Sequence, residues 1–467
     1  MSVSTVKPLR RDLLIAFTLP TLVLGAMHGP EGQIQAIYAK HAGLALSALA
    51  VAMMLTKIFD ALTYPLIGTL SDRSQARSGT RRSWIIVGTI FSMSGVWFLL
   101  RPPAAVNVVY FGICMAITYV GWKLIEIPLQ AWSFGLSSDY VQRARVQAWR
   151  TLALLTGQLL FYATPFLAVK LGYSDSSQLD FRSLGLAALL CVVALPLATF
   201  ALLSRVPSGS PALHSARRYF GFKETLAAVR SNPPLVRLLM AFLPANVLGG
   251  LSNGVAYFYI DTYLGLSKNF SAIFMLAILT SVAGIPFWTA LSARYERHRV
   301  WACCLVAASV VQATFAMVTP GPAALGMCFF LYPALVFCLS GMVMVYTMSA
   351  DIVDYGRLHT GEDHGGLYGS MFSFLQKSLL GVSAAAGVAL VGAFGFDATA
   401  ATQSAIGVFG IKLTFAIFPA AGVLGAAAII WNYPLNKLRI SEIQAALVRH
   451  DLEESNFATV SPRCTND

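Results

Sequence analysis

Long apolar runs separated by short polar and basic connections make up nearly all of this chain. Runs long enough to cross a hydrocarbon core of about 30 Å, which takes about 20 helical residues, recur near 13–38, 43–68, 84–101, 106–135, 147–169, 184–204, 235–262, 270–291, 300–319, 322–349, 367–394 and 408–433. The pattern predicts twelve membrane-spanning helices, since a helix satisfies its own backbone groups inside lipid. Gly29, Pro30 and Gly32 interrupt the first run, and a Thr-Pro-Gly-Pro turn alone separates the ninth from the tenth.

Composition agrees. With 57% hydrophobic and 12% charged residues in 467, the chain cannot clothe a soluble globule in solvated side chains. The net charge of +12 sits mainly in alternate connections: Lys7, Arg10 and Arg11 before the first run, Arg73, Arg77, Arg81 and Arg82 after the second, Arg143 and Arg145 after the fourth, Arg217, Arg218, Lys223 and Arg230 after the sixth, and Arg294, Arg297 and Arg299 after the eighth. The other connections carry little more than Lys40, Arg101, Lys170, Arg182 and Lys268. Short basic loops stay in the cytoplasm, which places both termini there and makes the charge a topological signal rather than a nucleic-acid footprint.

Six of the seven cysteines lie inside apolar runs without ligand spacing and read as small core residues. The basic N-terminus leads into a full span with no small-residue cleavage site, so no removable signal peptide is expected. No His-Glu-x-x-His or Gly-x-Ser-x-Gly string marks an enzyme. His359–Gly366, HTGEDHGG, is rich in turn formers and reads as a connection.

Five charges break the apolar pattern: Lys57, Asp60, Lys123, Glu126 and Lys377 lie well inside the runs. An ionisable group at the centre of a membrane helix costs roughly 2.5–3.5 kcal/mol on insertion scales, so such groups face a watery cavity, pair, or touch a cargo. The function this implies is transport. Lys57 and Asp60 are three apart, as are Lys123 and Glu126, a spacing that predicts an ion pair within each helix.

PLIGTLSDR (65–73) after the second run is echoed by PFWTALSAR (286–294) after the eighth. The repeat predicts two six-helix halves with the cargo between them near the midplane. Its boundaries are an N-terminal bundle 1–205, a linker 206–232 in which FKETLAAVR reads as a short surface helix, a C-terminal bundle 233–436, and a tail 437–467 that is amphipathic and then disordered.

The segment PLIGTLSDRSQARSGTRRSW (65–84) resembles the Gly-x-x-x-Asp-Arg loop of the major facilitator superfamily. KIFDALTYPLIGTLSDR (57–73), KLIEIPLQAW (123–132), RARVQAWR (143–150) and SADIVDYGRLHTGEDHGGLYGSMFSFLQK (349–377) together resemble the glycoside-pentoside-hexuronide:cation symporter family. The resemblance implies an all-α membrane protein of twelve transmembrane helices in two pseudo-symmetric six-helix bundles, the major facilitator fold, working by alternating access. It implies that Asp60 is a cation-binding aspartate and that Glu126 serves both cation and sugar. Arg150 and Lys377 fall on family positions, and Gln130, Phe372, Ser373 and His28 complete the expected cargo site. A cytoplasmic gate is expected from Asp72, Arg73, Asp139, Arg143, Arg145, Arg294, Asp351 and Asp354, with Asp351 exchanging charge with Arg143.

Departures from the family pattern are as informative. Tyr64 replaces a second aspartate of sodium-using members, and Lys123 replaces a cation-ligating threonine. An ammonium among oxygen ligands repels a hard cation, so sodium coupling is expected to be lost. Asp60 and Glu126, with Tyr64 and Lys123 beside them, then serve a proton, or Lys123 acts as a tethered cation in a uniporter. Leu24 and Gln130 replace galactoside-binding residues, leaving His28 and Glu31 to supply polar contacts unless His28 serves backbone freed at Pro30. Lys57, Lys123, Arg150 and Lys377 outnumber Asp60 and Glu126 by two, which predicts an anionic cargo such as a uronide or glycoside acid. A lipid or lysolipid carrier is the rival reading. The expected partners are a small-molecule solute and the bilayer of a bacterial inner membrane, with no nucleic acid, no cofactor beyond the coupling proton, and a monomeric state.

Overall fold

The computed structural model describes residues 9–29, 31–78, 80–136, 140–206, 229–360, 365–400 and 402–460, and every regular element among them is helical. The first span is built in two pieces, α1 (Arg11–His28) and α2 (Ile34–Ala42). The Gly-Pro-Glu-Gly sequence between them supplies the interruption, since proline has no N–H to donate and glycine favours no single backbone form. α2 ends at Gly43 in the left-handed region, φ 68°, the usual helix stop.

The second to sixth spans are single helices: α3 (Leu46–Ser78), α4 (Arg82–Leu100), α5 (Val108–Gly135), α6 (Tyr140–Lys170) and α7 (Phe181–Arg205). Their starts follow from side-chain caps. Asn107 accepts from the Tyr110 N–H, and Asp180 and Ser183 form a reciprocal capping box.

The second half repeats the plan. α8 (Pro233–Tyr257) is capped by Asn232 and runs into a π-helical turn, Phe258–Tyr263. α9 (Phe270–Arg294) and α10 (Arg297–Thr314) follow. The tenth span joins α11 (Pro322–Leu339) to α12 (Val343–Thr360) through a 3₁₀ turn, the eleventh is α13 (Gly365–Ala393), and the twelfth joins α14 (Ala405–Lys412) to α15 (Phe418–Trp431) through a second π turn. Eleven of these spans are continuous apolar helices long enough to cross a membrane. The interrupted first span makes the twelfth crossing, and the expected all-α architecture is present.

Pseudo-symmetry is visible in how the first span packs on the fifth and, six spans on, the seventh on the eleventh. α1 and α6 meet where a Cβ on Gly25 would run into the Leu154 backbone, and one on Gly157 into Leu22. α8 and α13 meet in the same way, Gly254 lying on the Ala384 backbone and Gly387 on Leu251. Small residues let membrane helices approach to backbone contact, where dispersion replaces the absent hydrophobic drive.

The described basic connections lie on the face that carries both described chain ends, here called the termini face; the opposite one is the far face. The tail forms α16 (Lys437–Val460). It docks on the second half, the Lys437 N–H donating to Glu296 Oε2 at 3.0 Å and Ile443 being buried. Most of the linker, including the start of FKETLAAVR, and the last seven residues lie outside the described residues.

Candidate functional site: a charged chamber between the halves

Three lysines of the span interiors each reach a carboxylate on a different span. Lys57 of α3 bonds Glu31, in the break of the first span. Lys123 of α5 meets Asp60 Oδ1 of α3 at 2.8 Å. Lys377 of α13 meets Glu126 Oε1 of α5 at 3.1 Å. The pairs expected within α3 and within α5 are replaced by pairs between spans. Residues three apart share a face, but the long lysine stem carries the ammonium across to a neighbouring helix, where each buried charge still finds its opposite.

Lys123 is the most deeply set of these groups, 4% exposed. Its ammonium has three donors, and three oxygens of α3 receive them: Asp60 Oδ1, the Asp60 carbonyl, and Thr63 Oγ1 at 2.6 Å. The Tyr64 ring lies between two cations, its centroid 5.9 Å from Lys123 Nζ and 5.5 Å from Lys377 Nζ. Lys377 and Glu126 belong to opposite halves, so this pair spans the seam.

Arg150 of α6 is buried, 8% exposed. One terminal nitrogen donates to Gln130 Oε1 of α5 and, at 3.4 Å, to Gln147 Oε1. Its Nε makes no hydrogen bond among the described residues, and it joins none of their salt bridges. Gln147 is itself tied to Ser133 Oγ at 3.0 Å. The arginine is thus oriented by neutral amides.

Glu31 changes the charge count. With it, Lys57, Lys123, Arg150 and Lys377 face three carboxylates, a surplus of one positive charge rather than two. The sequence signal was an acidic residue inside the interrupted first run. His28 does not serve freed backbone: its Nδ1 lies 3.0 Å from Glu31 Oε2, and its ring lies against Trp122 of α5, centroids 3.8 Å apart and planes tilted by 38°.

Other expected site residues fall elsewhere. Phe372 is buried in the second half, edge-on to Phe242 of α8 at 5.5 Å, and forms core rather than chamber wall. The Ser373 side chain lies outside the described residues. Leu24 is buried core.

The expected gate pairs differently in this state. Asp351 of α12 accepts two hydrogen bonds from Arg297 of the same half, at 2.7 and 2.5 Å. Arg297 opens α10 close to α12 and reaches the aspartate without crossing the seam. Asp354 accepts from Gln444 of α16 at 3.3 Å, and Arg145 donates to the Leu9 carbonyl at 3.4 Å. Arg73 and Arg294 are exposed, while Asp139 and the side chains of Asp72 and Arg143 lie outside the described residues.

A set of contacts joins the halves at the far face. Lys40 of α2 bonds Asp261 in the π turn after α8. The Tyr257 hydroxyl donates to the Leu179 carbonyl at 3.0 Å, Ser177 Oγ to the Lys268 carbonyl at 3.0 Å, and Gln35 Nε2 to the Gly254 carbonyl at 3.3 Å. α3 and α13 pack from Leu46 against Gly392 inward to Lys57 against Gly381. Tyr162 of α6 lies on Phe274 of α9, centroids 5.1 Å apart. The result is a far face where the halves are joined, with charges from both halves meeting nearer mid-span.

Comparisons with known proteins follow this geometry. The family model described as MFS/sugar transport protein matches residues 20–437. The chain is 25% identical to the inner membrane symporter YicJ of Escherichia coli over 362 residues, 75% of this chain and 74% of that one. It is 23% identical to a glucuronide carrier protein homolog of the same organism over 429 residues, covering 87% and 88%. Among solved structures, the nucleoside transporter NupG superposes with a TM-score of 0.65 at 13% identity, over 90% of this chain and 98% of its own.

Proposed function

The chain belongs to the MFS/sugar transport protein family, and from that membership we propose that it is a secondary transporter of a sugar-like organic anion, coupled to protons and not to sodium. The observation that carries the ion assignment is Lys123. Its ammonium sits on Asp60 and Thr63 and uses the oxygens that a bound sodium ion would need. Hard cations require several oxygen ligands at once, and a fixed ammonium both repels the ion and occupies those ligands. A proton needs no such cage: a carboxylate that exchanges its lysine partner during the cycle can take one up. Asp60 and Glu126, each held by one lysine, are the carboxylates for that role, with Tyr64 between the two lysines.

Arg150 supports the cargo assignment. It is the chamber cation without a carboxylate among the described salt bridges, it is held in place by Gln130 and Gln147, and it keeps an unused Nε–H. A guanidinium so placed offers a planar fork to a carboxylate. The surplus positive charge of the chamber is cancelled when an anion binds. A hexuronide or glycoside acid carries both the hydroxyls and the charge.

With the basic loops in the cytoplasm, as short loops of that kind are in bacterial inner membranes, the seal at the far face makes this the inward-facing state. Asp351, Asp354, Arg145 and the other charged residues of the termini face would then clasp the two halves in the opposite state.

The test is thermal stability of the purified protein with methyl glucuronide, methyl galacturonide, methyl galactoside and lysophosphatidylcholine, each with and without sodium at two pH values. Stabilisation by the uronides, unchanged by sodium, is expected. A sodium-dependent shift overturns the ion assignment, and stabilisation by the lysolipid alone replaces the sugar anion with an amphiphile. Uronide uptake into proteoliposomes that ignores an imposed pH gradient would make the protein a uniporter with Lys123 as its fixed cation.

A further inference from the structure

The break in the first span holds a second titratable group beside the three lysine pairs. His28 Nδ1 lies 3.0 Å from Glu31 Oε2, while Lys57 holds the other oxygen of the same carboxylate. An ionised carboxylate only accepts hydrogen bonds, so Nδ1 carries the proton of this contact and Nε2 is the free basic site. The groups that face the couple are Lys57 and Asp60 from α3, Tyr119, Trp122, Lys123 and Glu126 from α5, Tyr162 from α6, the neutral Asn253 from α8, and Lys377 from α13.

Its position matters as much as its chemistry. The backbone next to Glu31 is part of the far-face seal: a Cβ on Gly32 would run into Asn253 of the other half, and Gln35 donates to the Gly254 carbonyl there. Tyr162 of α6 donates to the Gly29 carbonyl and to Gln33 Oε1, holding the break from its own half. The Lys57 stem also lies on the seam, a Cβ on Gly381 of α13 falling 2.5 Å from Lys57 Cδ. Glu31 and its cation therefore touch the opposite half at two separate places.

We propose that His28 and Glu31 form a proton-binding site whose occupancy loosens the far-face seal. With the imidazole neutral, the set His28, Glu31, Lys57 has no net charge and the carboxylate is gripped firmly by the ammonium. One proton from water adds at His28 Nε2 and raises the set to +1. The same carboxylate is then shared between imidazolium and ammonium, and Lys57 is freed toward Asp60, one turn along its own helix. Its stem leaves Gly381, the break loses its strap, and the two seam contacts weaken together. Loss of the proton from Nε2 to water restores the seal. The inference rests on the proton-coupled reading above and adds residues that neither the family motifs nor the three lysine pairs supply.

The experiment places spin labels at Ala104 and Thr402, exposed far-face positions in opposite halves, after the seven native cysteines are changed to alanine. Pulsed dipolar distances are recorded from pH 5 to pH 9. A longer distance that grows as pH falls is expected in the parent, with His28→Gln and Glu31→Gln both fixed at the high-pH distribution. Variants that titrate as the parent does overturn the site. Two distances in a ratio independent of pH also overturn it while leaving the transporter reading intact, whereas one unchanging distance under every condition defeats both. A second readout guards against poorly folded variants. Imidazolium in contact with an indole quenches it, so acid quenching of tryptophan fluorescence should disappear in Trp122→Phe and in His28→Gln; if it survives in both, His28 is not the group that takes up the proton.

Discussion

Lys40 and Asp261 join the two halves by an ion pair in which the aspartate side chain is only 1% exposed. The ammonium also lies 5.9 Å from the centre of the Tyr257 ring, whose hydroxyl anchors on Leu179 across the same seam. Asp261 is presented by the π turn after α8, where the widened helix swings one residue inward. The second carboxylate oxygen has no hydrogen bond among the described residues, so this lysine is its main compensation for lost water.

Removing Lys40 should therefore open the far face. A buried pair that loses one partner costs about 3–5 kcal/mol, because a lone charge is left without water. That is more than enough to invert two states separated by a few kcal/mol. Lys40→Met should expose the Asp261 turn to water and raise labelling of a cysteine introduced at Tyr257. Asp261→Asn in the same chain should recover most of the closed state, since no charge is then stranded. Equal labelling in the single and double variants would show that the pair is not the latch.

The lysine at position 123 makes a prediction about sodium. Its three acceptors on α3 are the oxygens a small cation would use, so Lys123→Thr together with Tyr64→Asp clears the ammonium and adds two oxygen groups. This double variant should gain a sodium-dependent rise in thermal stability that the parent lacks and that potassium does not reproduce. Lys123→Thr alone should be less stable than the parent, because Asp60 loses its partner. Calorimetry with sodium and potassium chloride decides between them.

The spans and the family were legible because each rests on a signal local in sequence: run length, loop charge and motif order. The pairings were not. Residue spacing says which charges share a helical face, as for Lys57 and Asp60, but not which neighbouring helix brings a partner within reach. Asp261 escaped for a related reason, and Glu31 was legible as a polar contact but not as the partner of Lys57. Asp261 lies near a run's end, where a charge reads as loop, and Glu31 in the broken part of its run, and only the packing of α2 and α3 on α8 and α13 brings their partners to them. Phe372 shows the opposite error, a motif residue whose side chain packs in the core.

Asp351 yields a test of which basic residue serves the termini face. It is 6% exposed and bound through both oxygens by Arg297. Both bonds come from one terminal nitrogen of the guanidinium, a charge-assisted contact that is short and strong. Arg297→Ala should lower stability by about 3 kcal/mol, within the range for a stranded buried charge. The exchange Arg297→Asp with Asp351→Arg should return a good part of the loss, whereas exchanging Asp351 with Arg143 should not. Guanidine-free thermal unfolding of the three double and single sets measures this directly.

Arg150 carries the prediction that bears most on cargo. Gln130 and Gln147 hold its guanidinium by neutral bonds, so the charge is compensated by no direct carboxylate contact among the described residues. Arg150→Lys keeps the charge but loses the planar fork and the hold of the two amides, and the two side chains are not interchangeable at such a site. Binding of a uronide should fall at least about tenfold, equivalent to about 1.4 kcal/mol, while a neutral methyl glycoside should change little. Gln130→Leu should weaken both through loss of orientation, by less for the uronide than Arg150→Lys does. A neutral glycoside that loses as much as the uronide in Arg150→Lys would mean that the arginine reads hydroxyls and that the cargo need not be an anion.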